Sequence, residues 1–428
     1  MPPDAKYEED IVSSKELRFD DLLNPVLTPQ QRQMVDYADA NPVDYSVDSV
    51  VATARAATGL EGAGPDDYRE RLQVWIDVAG EPNRTNLARM SMFGLSTKFL
   101  ANRMRVLDFA RRHPEVRDIE ITAPVMVIGL PRSGTSHLVN LLAADSRFRA
   151  APRWELDQMV PGAGQGPGPD GIDPRFKAAA ETYEMGKAAN PYIQVWHPMD
   201  PWRVDEDIEM HAADFSGYYP EHLMQHAAGW RDYYLAHDQT PHYEFQKLCM
   251  QVMSWFRPRD RWVTKYPAHI ENLPALLNVF PDAVLVETHR DPVGAVLSAA
   301  TMHSYMARTW QKEIDYGFHL RYWRDLSHRL LSAGLRGRPL IENQVVDVYY
   351  DRFVSDNLSA VRDVYRKAGL EMTDTAHAEI TEYIDNNRQG KEGRIVYDLR
   401  GHFGTEPQEV REPFAAYLAK HPVPIEVK

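Results

Sequence analysis

Apolar and polar positions follow two rhythms along this chain, and the changeover falls near residue 120. Residues 1 to about 120 read as mostly helical. Thr28 ahead of Pro29 marks a helix start, and 84–112 carries apolar residues at helical spacing among many arginines. Downstream, short β-prone runs take over. Residues 124–128, 261–265, 283–288 and 345–350 are predicted strands, and a helical pattern over 270–279 leads into the third. Strands that alternate with helices predict an α/β fold, a central parallel sheet covered by helices on both faces. The segment 161–169, rich in Gly and Pro, cannot hold regular structure and reads as an exposed loop. Residues 174–258 read as helices rich in Trp, Tyr, His and Met.

The first predicted strand runs into Gly129, Leu130, Pro131, Arg132, Ser133, Gly134, Thr135 and Ser136. Two glycines separated by four residues, then two hydroxyls, is the spacing of a phosphate-binding loop. Leu138, Leu141 and Leu142 then follow at helical spacing. Strand, glycine turn and helix N-terminus make an anion site, because free N–H groups and the helix dipole converge there. Thr135 stands where an ATP- or GTP-cleaving loop has its Lys, and the cation lies inside the loop at Arg132. The loop therefore predicts a phosphate-like ligand without conventional NTPase chemistry.

A second segment matches it. Arg290 closes the third strand, Pro292 suits the first turn of the next helix, and Ser298 lies two turns into that helix. A guanidinium and a hydroxyl so placed, at the C-terminal end of a strand, can share one phosphate.

Composition narrows the field. The chain has 428 residues and a net charge of −14, so no overall basic field draws nucleic acid. An anion site must then be a local cluster, which suits a small molecule. Cys249 is the single cysteine, which excludes an internal disulfide and fits a reducing compartment such as the cytoplasm. The start of the chain is acidic and does not resemble a signal peptide, and no apolar run approaches the roughly 20 residues of a membrane span. The 16 His are scattered without a metal-binding spacing, and no carboxylate pair demands Mg²⁺, so no metal is expected.

With both segments in view, the chain resembles the sulfotransferases that use 3′-phosphoadenosine 5′-phosphosulfate, in particular a bacterial branch related to tyrosylprotein sulfotransferases. Pro131 to Ser136 is similar to their 5′-phosphosulfate loop, and Arg290 through Ser298 to their 3′-phosphate motif. Val263, Thr264, Lys265, Tyr266 and Pro267 resemble a segment that in the family reads roughly Leu-Lys-Ser-Pro, with Tyr266 in place of the small residue. Val348 to Phe353, which contains Tyr350, is similar to a later Tyr-Glu-x-Leu segment. The resemblance implies a P-loop-like sulfotransferase domain over 121–428, with a helical insertion at about 160–258. It also implies the donor 3′-phosphoadenosine 5′-phosphosulfate, bound through Pro131, Arg132, Ser133, Gly134, Thr135, Ser136, Arg290, Ser298 and Tyr350. In the family, basic and glycine residues of the tail close over the 3′-phosphate, which points to Lys391 and Arg394.

A sulfuryl group moves in line, and positioning and charge stabilisation do most of the catalysis. Arg132 and Lys265 are the candidates to stabilise the leaving oxygen. An acceptor hydroxyl needs a base within hydrogen-bond reach. Glu155 is the first candidate. Asp205, Glu206, Asp207, His197 and His211 are its rivals. The aromatic insertion, with Trp196, Trp202, Phe215, Tyr218, Tyr219, Tyr233 and Tyr234, reads mainly as core, with some residues left to line an acceptor pocket. The expected acceptor is a small-molecule, lipid or carbohydrate hydroxyl, or less favourably an amine. The first 120 residues are expected to form a packing and dimerisation layer, so a homodimer is an expectation. A phosphate-loop kinase or NTPase, and a non-catalytic nucleotide-binding protein, are the alternatives. Mg²⁺-independent nucleotide binding separates the first of these, and the presence of Arg132 and Lys265 speaks against the second.

Overall fold

The computed structural model describes residues 15–162, 164–168, 170–224, 227–387 and 393–428. Their strands are β1 (Glu16–Leu17), β2 (Val125–Gly129), β3 (Phe148–Arg149), β4 (Arg261–Lys265), β5 (Val284–His289), β6 (Val345–Tyr349) and β7 (Arg394–Ile395). Five of them form one parallel sheet in the order β3-β4-β2-β5-β6, and β1 pairs with β7 apart from it. The α/β class and the four predicted strands are present, each within a residue of its expected bounds. The strands β1, β3 and β7 went unforeseen because two residues carry no periodicity.

Alternation along β2 explains why the sheet is covered on both sides. Val125 and Val127 join Val263, Val286 and Val348 in one apolar cluster with the helices Thr135–Leu142 and Asn357–Ala368. Met126 and Ile128 face a second and larger cluster. Every β2 residue is buried, and each such Val or Ile contributes about 1.5–3 kcal/mol by leaving water. The chain leaves β2 toward β3 and β4 on one side, then crosses to β5 and β6 on the other. The strand order therefore reverses at β2, and a crevice at the carboxyl end of such a strand is where open α/β sheets bind ligands.

Among the described residues, four α-helices precede the sheet: Pro29–Ala40, Val47–Thr58, Tyr68–Ala79 and Asn86–Arg112. Thr28 caps the first through a reciprocal pair with Gln31, and Ser46 and Thr85 cap the second and fourth. This layer shares its core with the sheet. Trp75 and Phe99 belong to the same cluster as Met126, Phe215 and Trp230. Backbone and side chain of Thr85 also bond to Trp310 O and Thr309 O.

The segment 174–256 is helical as expected, from Pro174–Ala189 to Thr240–Phe256. Most of its aromatics are core: Trp196, Phe215, Tyr218 and Tyr234 are buried, whereas Trp202 is 61% exposed. The described residues of 161–169 contain neither helix nor strand. Among the described residues no helix is long and apolar enough to cross a membrane.

Candidate active site

The loop after β2 is held in a shape that few residues tolerate. Gly129 has φ 126°, and a Cβ there would lie 2.5 Å from Thr288 Oγ1 and 2.7 Å from Thr288 O on β5. Gly134, at φ 92°, opens the helix Thr135–Leu142 without a side-chain cap, which leaves the first turn's N–H groups to a ligand. Arg132 adopts φ 68°, a left-handed conformation that costs a non-glycine residue about 1–3 kcal/mol. Strain of this kind persists where surrounding contacts enforce it, and here they are explicit. Ser133 Oγ donates to Leu130 O at 2.5 Å and lies 2.6 Å from Thr288 Oγ1. Ser133 is buried, so its side chain braces the loop from beneath.

The side chains predicted from two separate segments meet above this loop. Arg132 Nε donates to Ser298 Oγ at 3.1 Å, and Ser298 Oγ lies 2.8 Å from the hydroxyl of Tyr397. Arg132 also donates to Trp196 O of the insertion, and Arg290 Nη1 donates to Arg132 O at 2.5 Å. Burial pushes the Arg132 pKa down, and the positive charge of Arg290 adds to the effect. Tyr350 packs under both parts. Its ring centroid lies 4.4 Å from the Arg290 guanidinium carbon, and its Cδ2 would lie 3.0 Å from a Cβ on Gly134. Thr135 is buried at the first helical position, with Ser136 half-buried beside it, and Pro131 forms the turn with Arg132. Arg394 is exposed on β7, three residues before Tyr397. Lys391 lies outside the described residues.

Lys265 ends β4, beside Val127 of β2 in register, and so stands next to the root of the loop. It is 1% exposed, and its Nζ bonds to Glu206 Oε1. Tyr266 points the other way. Its hydroxyl accepts from Tyr218 N at 2.8 Å within the apolar cluster, so the bulky residue anchors the insertion and leaves the Lys265 amine on the opposite face.

The candidate bases sit in different settings. Glu155 is 4% exposed and is clamped by Arg149 at 2.8 Å and by Arg257 at 2.8 and 3.0 Å. Arg149 is on β3, level with Trp262 and three residues before Lys265 on β4. The structure therefore pairs Glu155 with these two arginines, and among the described residues no ion pair links it to Arg132 or Lys265. Asp205 accepts from Arg153 Nη1 at 2.7 Å, with His197 Nε2 3.8 Å away. Burial opposes its charge, yet His197 and Arg153 hold its carboxyl well below the usual range. Asp207 accepts from Gln246 at 3.0 Å and from His269 at 3.1 Å, and so works as a buried brace. Burial drives the His211 pKa well below its usual value. Glu206 is the carboxylate that contacts Lys265, and its side chain keeps 20% exposure.

Spacing in the sequence could not reveal one further cluster. Donor atoms of His289, Asp347 and His421 lie within 4.8 Å of one another. Arg338 binds both Asp347 oxygens at 2.6 and 2.7 Å, so a guanidinium already supplies the positive charge there. Sequence reasoning also gave no role to Tyr397, Thr288 or the Trp196 carbonyl, because each reaches the site through a long-range contact.

The comparisons agree with this geometry. A family model described as "Sulfotransferase family" matches residues 124–374. The structure is similar to that of sulfotransferase STF9 from Mycobacterium avium, with a TM-score of 0.81 and 26% identity over 91% of this chain and 100% of that one. It is also similar to sulfotransferase STF1 from Mycobacterium tuberculosis, with a TM-score of 0.75 and 27% identity over 87% and 98% of the two chains. No curated protein matches it. A loop that presents Arg132 to Ser298, on a parallel sheet shared with these proteins over most of the chain, is the frame of a group-transfer enzyme, and the chain belongs to the sulfotransferase family.

Proposed function

We propose that this enzyme transfers a sulfuryl group from 3′-phosphoadenosine 5′-phosphosulfate to a hydroxyl of a small-molecule, lipid or carbohydrate acceptor. The observation that carries the reading is the junction of Arg132, Ser298, Tyr397 and Arg290, which joins the loop to the β5 motif at one place. Two anionic groups of one nucleotide fit it. The loop N–H groups and Arg132 take the 5′ end, and Arg290 with Ser298 takes the 3′-phosphate.

In the transfer an S–O bond forms to the acceptor oxygen and the S–O bond to the donor's phosphate breaks. Charge grows on that phosphate oxygen, where Arg132 and Lys265 stabilise it. The acceptor proton passes to a carboxylate. We assign that role to Glu206, since Glu155 is held by Arg149 and Arg257. The arriving donor draws the Lys265 amine toward its own charge, which frees the Glu206 carboxylate to accept the proton. Trp202, four residues before Glu206, offers an exposed apolar face to the acceptor. The reducing cytoplasm is the proposed compartment, with the first 120 residues as the proposed dimerisation layer.

Calorimetry with 3′-phosphoadenosine 5′-phosphate (PAP) and AMP tests the reading. PAP should bind at least tenfold more tightly, since each charge-assisted hydrogen bond contributes about 1.5–3 kcal/mol, and binding should not require Mg²⁺. Equal affinities would reject the donor assignment, and strict Mg²⁺ dependence would favour a phosphate-loop kinase.

A further inference from the structure

The anion on Arg290 belongs to the protein itself. Arg290 Nε and Nη2 donate to the two carboxylate oxygens of Glu426 at 2.8 and 2.7 Å. Nη1 is engaged by Arg132 O, and Tyr350 covers one face of the guanidinium, so Glu426 holds the remaining fork. The segment carrying Glu426 is fixed by its backbone. Glu426 N donates to Asp291 Oδ2 at 2.9 Å, and Arg411 Nη2 donates to Val427 O at 2.7 Å. Gly294 leaves room for the carboxylate, for a Cβ there would come within 3.2 Å of Glu426 Oε2. The ion pair stays open to water, with Arg290 16% and Glu426 33% exposed.

We infer that Glu426 is a built-in competitor that tunes affinity and release, a carboxylate that a 3′-phosphate must displace from Arg290. The inference rests on the reading of Arg290 as the 3′-phosphate contact. A phosphate monoester carries a charge of about −1.5 to −2 at neutral pH and outbids a single carboxylate for a bidentate guanidinium. The nucleotide gains only the difference between the two pairs. A nucleotide without the 3′-phosphate leaves the pair intact and meets no competition. The same device hastens departure of the product PAP, because Glu426 reoccupies Arg290 as the phosphate loosens.

The test measures PAP and AMP affinities and PAP dissociation rates on the full chain, as wild type, Glu426→Gln and Glu426→Asp. The substitutions leave the backbone bond to Asp291 in place. Glu426→Gln should tighten PAP about tenfold and slow its release by a similar factor, with AMP unchanged and Glu426→Asp between. If wild type prefers PAP over AMP while Glu426→Gln leaves PAP unchanged or weaker, the competitor role is overturned and the donor reading stands. If wild type does not distinguish PAP from AMP, the reading of Arg290 fails and the competitor role fails with it.

Discussion

The two halves of the candidate site are built on different principles. On the donor side, Arg290 follows β5 directly, Arg132 comes three residues after β2, and Ser298 lies on the helix after β5, so strand ends set their positions. On the acceptor side, Lys265 also ends a strand, but its partner Glu206 comes from the insertion. Glu206 is placed by neighbours: Asp205 N bonds to Ala151 O at 3.1 Å and Asp207 N to Lys265 O at 3.0 Å. Around them lies a network in which Arg153 joins Asp205, Asp157 and Glu209, and Lys98 reaches Asp157 and Glu209. The proposed anion site thus rides on regular backbone, whereas the proposed base rides on an irregular segment pinned by charge pairs. The first kind of placement survives surface changes. The second depends on residues scattered over more than a hundred positions.

That contrast is open to attack from both sides. The largest effect is expected from Glu206→Gln. It should lower kcat by about 10²–10⁴-fold with PAP binding no weaker, as loss of a general base does. A near-normal rate with an alcohol acceptor would show that Glu206 is not the base. Glu155→Ala should act on the fold instead. It leaves Arg149 and Arg257 without their shared carboxylate, and such a break costs about 3–5 kcal/mol of stability, read by denaturant unfolding. If the variant unfolds like wild type but loses turnover, the two glutamates have been assigned the wrong way round. Arg290→Ala should erase the preference for PAP over AMP and leave AMP binding little changed, which calorimetry can check. A loss shared equally by both nucleotides would break the division between the loop and the β5 motif.

The smallest effect concerns pH. Burial pushes the His421 pKa down to about 4, and the neighbouring His289 adds to the shift. An unfolded chain protonates His near pH 6.5. Between these values the unfolded state binds more protons, so this contribution is complete above about pH 6.5 and is lost as pH falls toward 4. His421→Phe keeps an aromatic ring against His289, 4.0 Å away at present, and should flatten the acid side of the melting curve. An unchanged acid slope would remove His421 from the account.

The same division explains what could be read beforehand. Arg132, Arg290, Ser298 and Lys265 announce themselves through local context, because a strand, a glycine turn and a helix start are written in consecutive residues. Glu155 presents an equally local signal, since it follows the loop's helix by a short connection. Local distance cannot show that Arg149 on β3 and Arg257, about a hundred residues later, close around it. Glu206 stood in an acidic run whose three members looked alike. Their separation into an arginine partner, a lysine partner and a buried brace comes from tertiary packing alone. Tyr266, which stands in place of the family's small residue, turns into the core because successive residues at a strand's end face opposite ways.

The pairing of β1 with β7 bears on how the enzyme comes into being. Leu17 lies level with Ile395, two residues before Tyr397, and Tyr397 reaches Ser298. The proposed nucleotide site therefore draws on segments nearly 380 residues apart in the chain, and Arg290 meets its carboxylate through residue 426. A ribosome releases the chain from its N-terminal end, so the sheet's core strands are made well before the pocket can be sealed. Translation intermediates stalled after β6 would carry the loop but lack Tyr397 and Glu426. On the proposed reading, synthesis of the stretch from β7 to Glu426 is what converts a folded sheet into a complete nucleotide site.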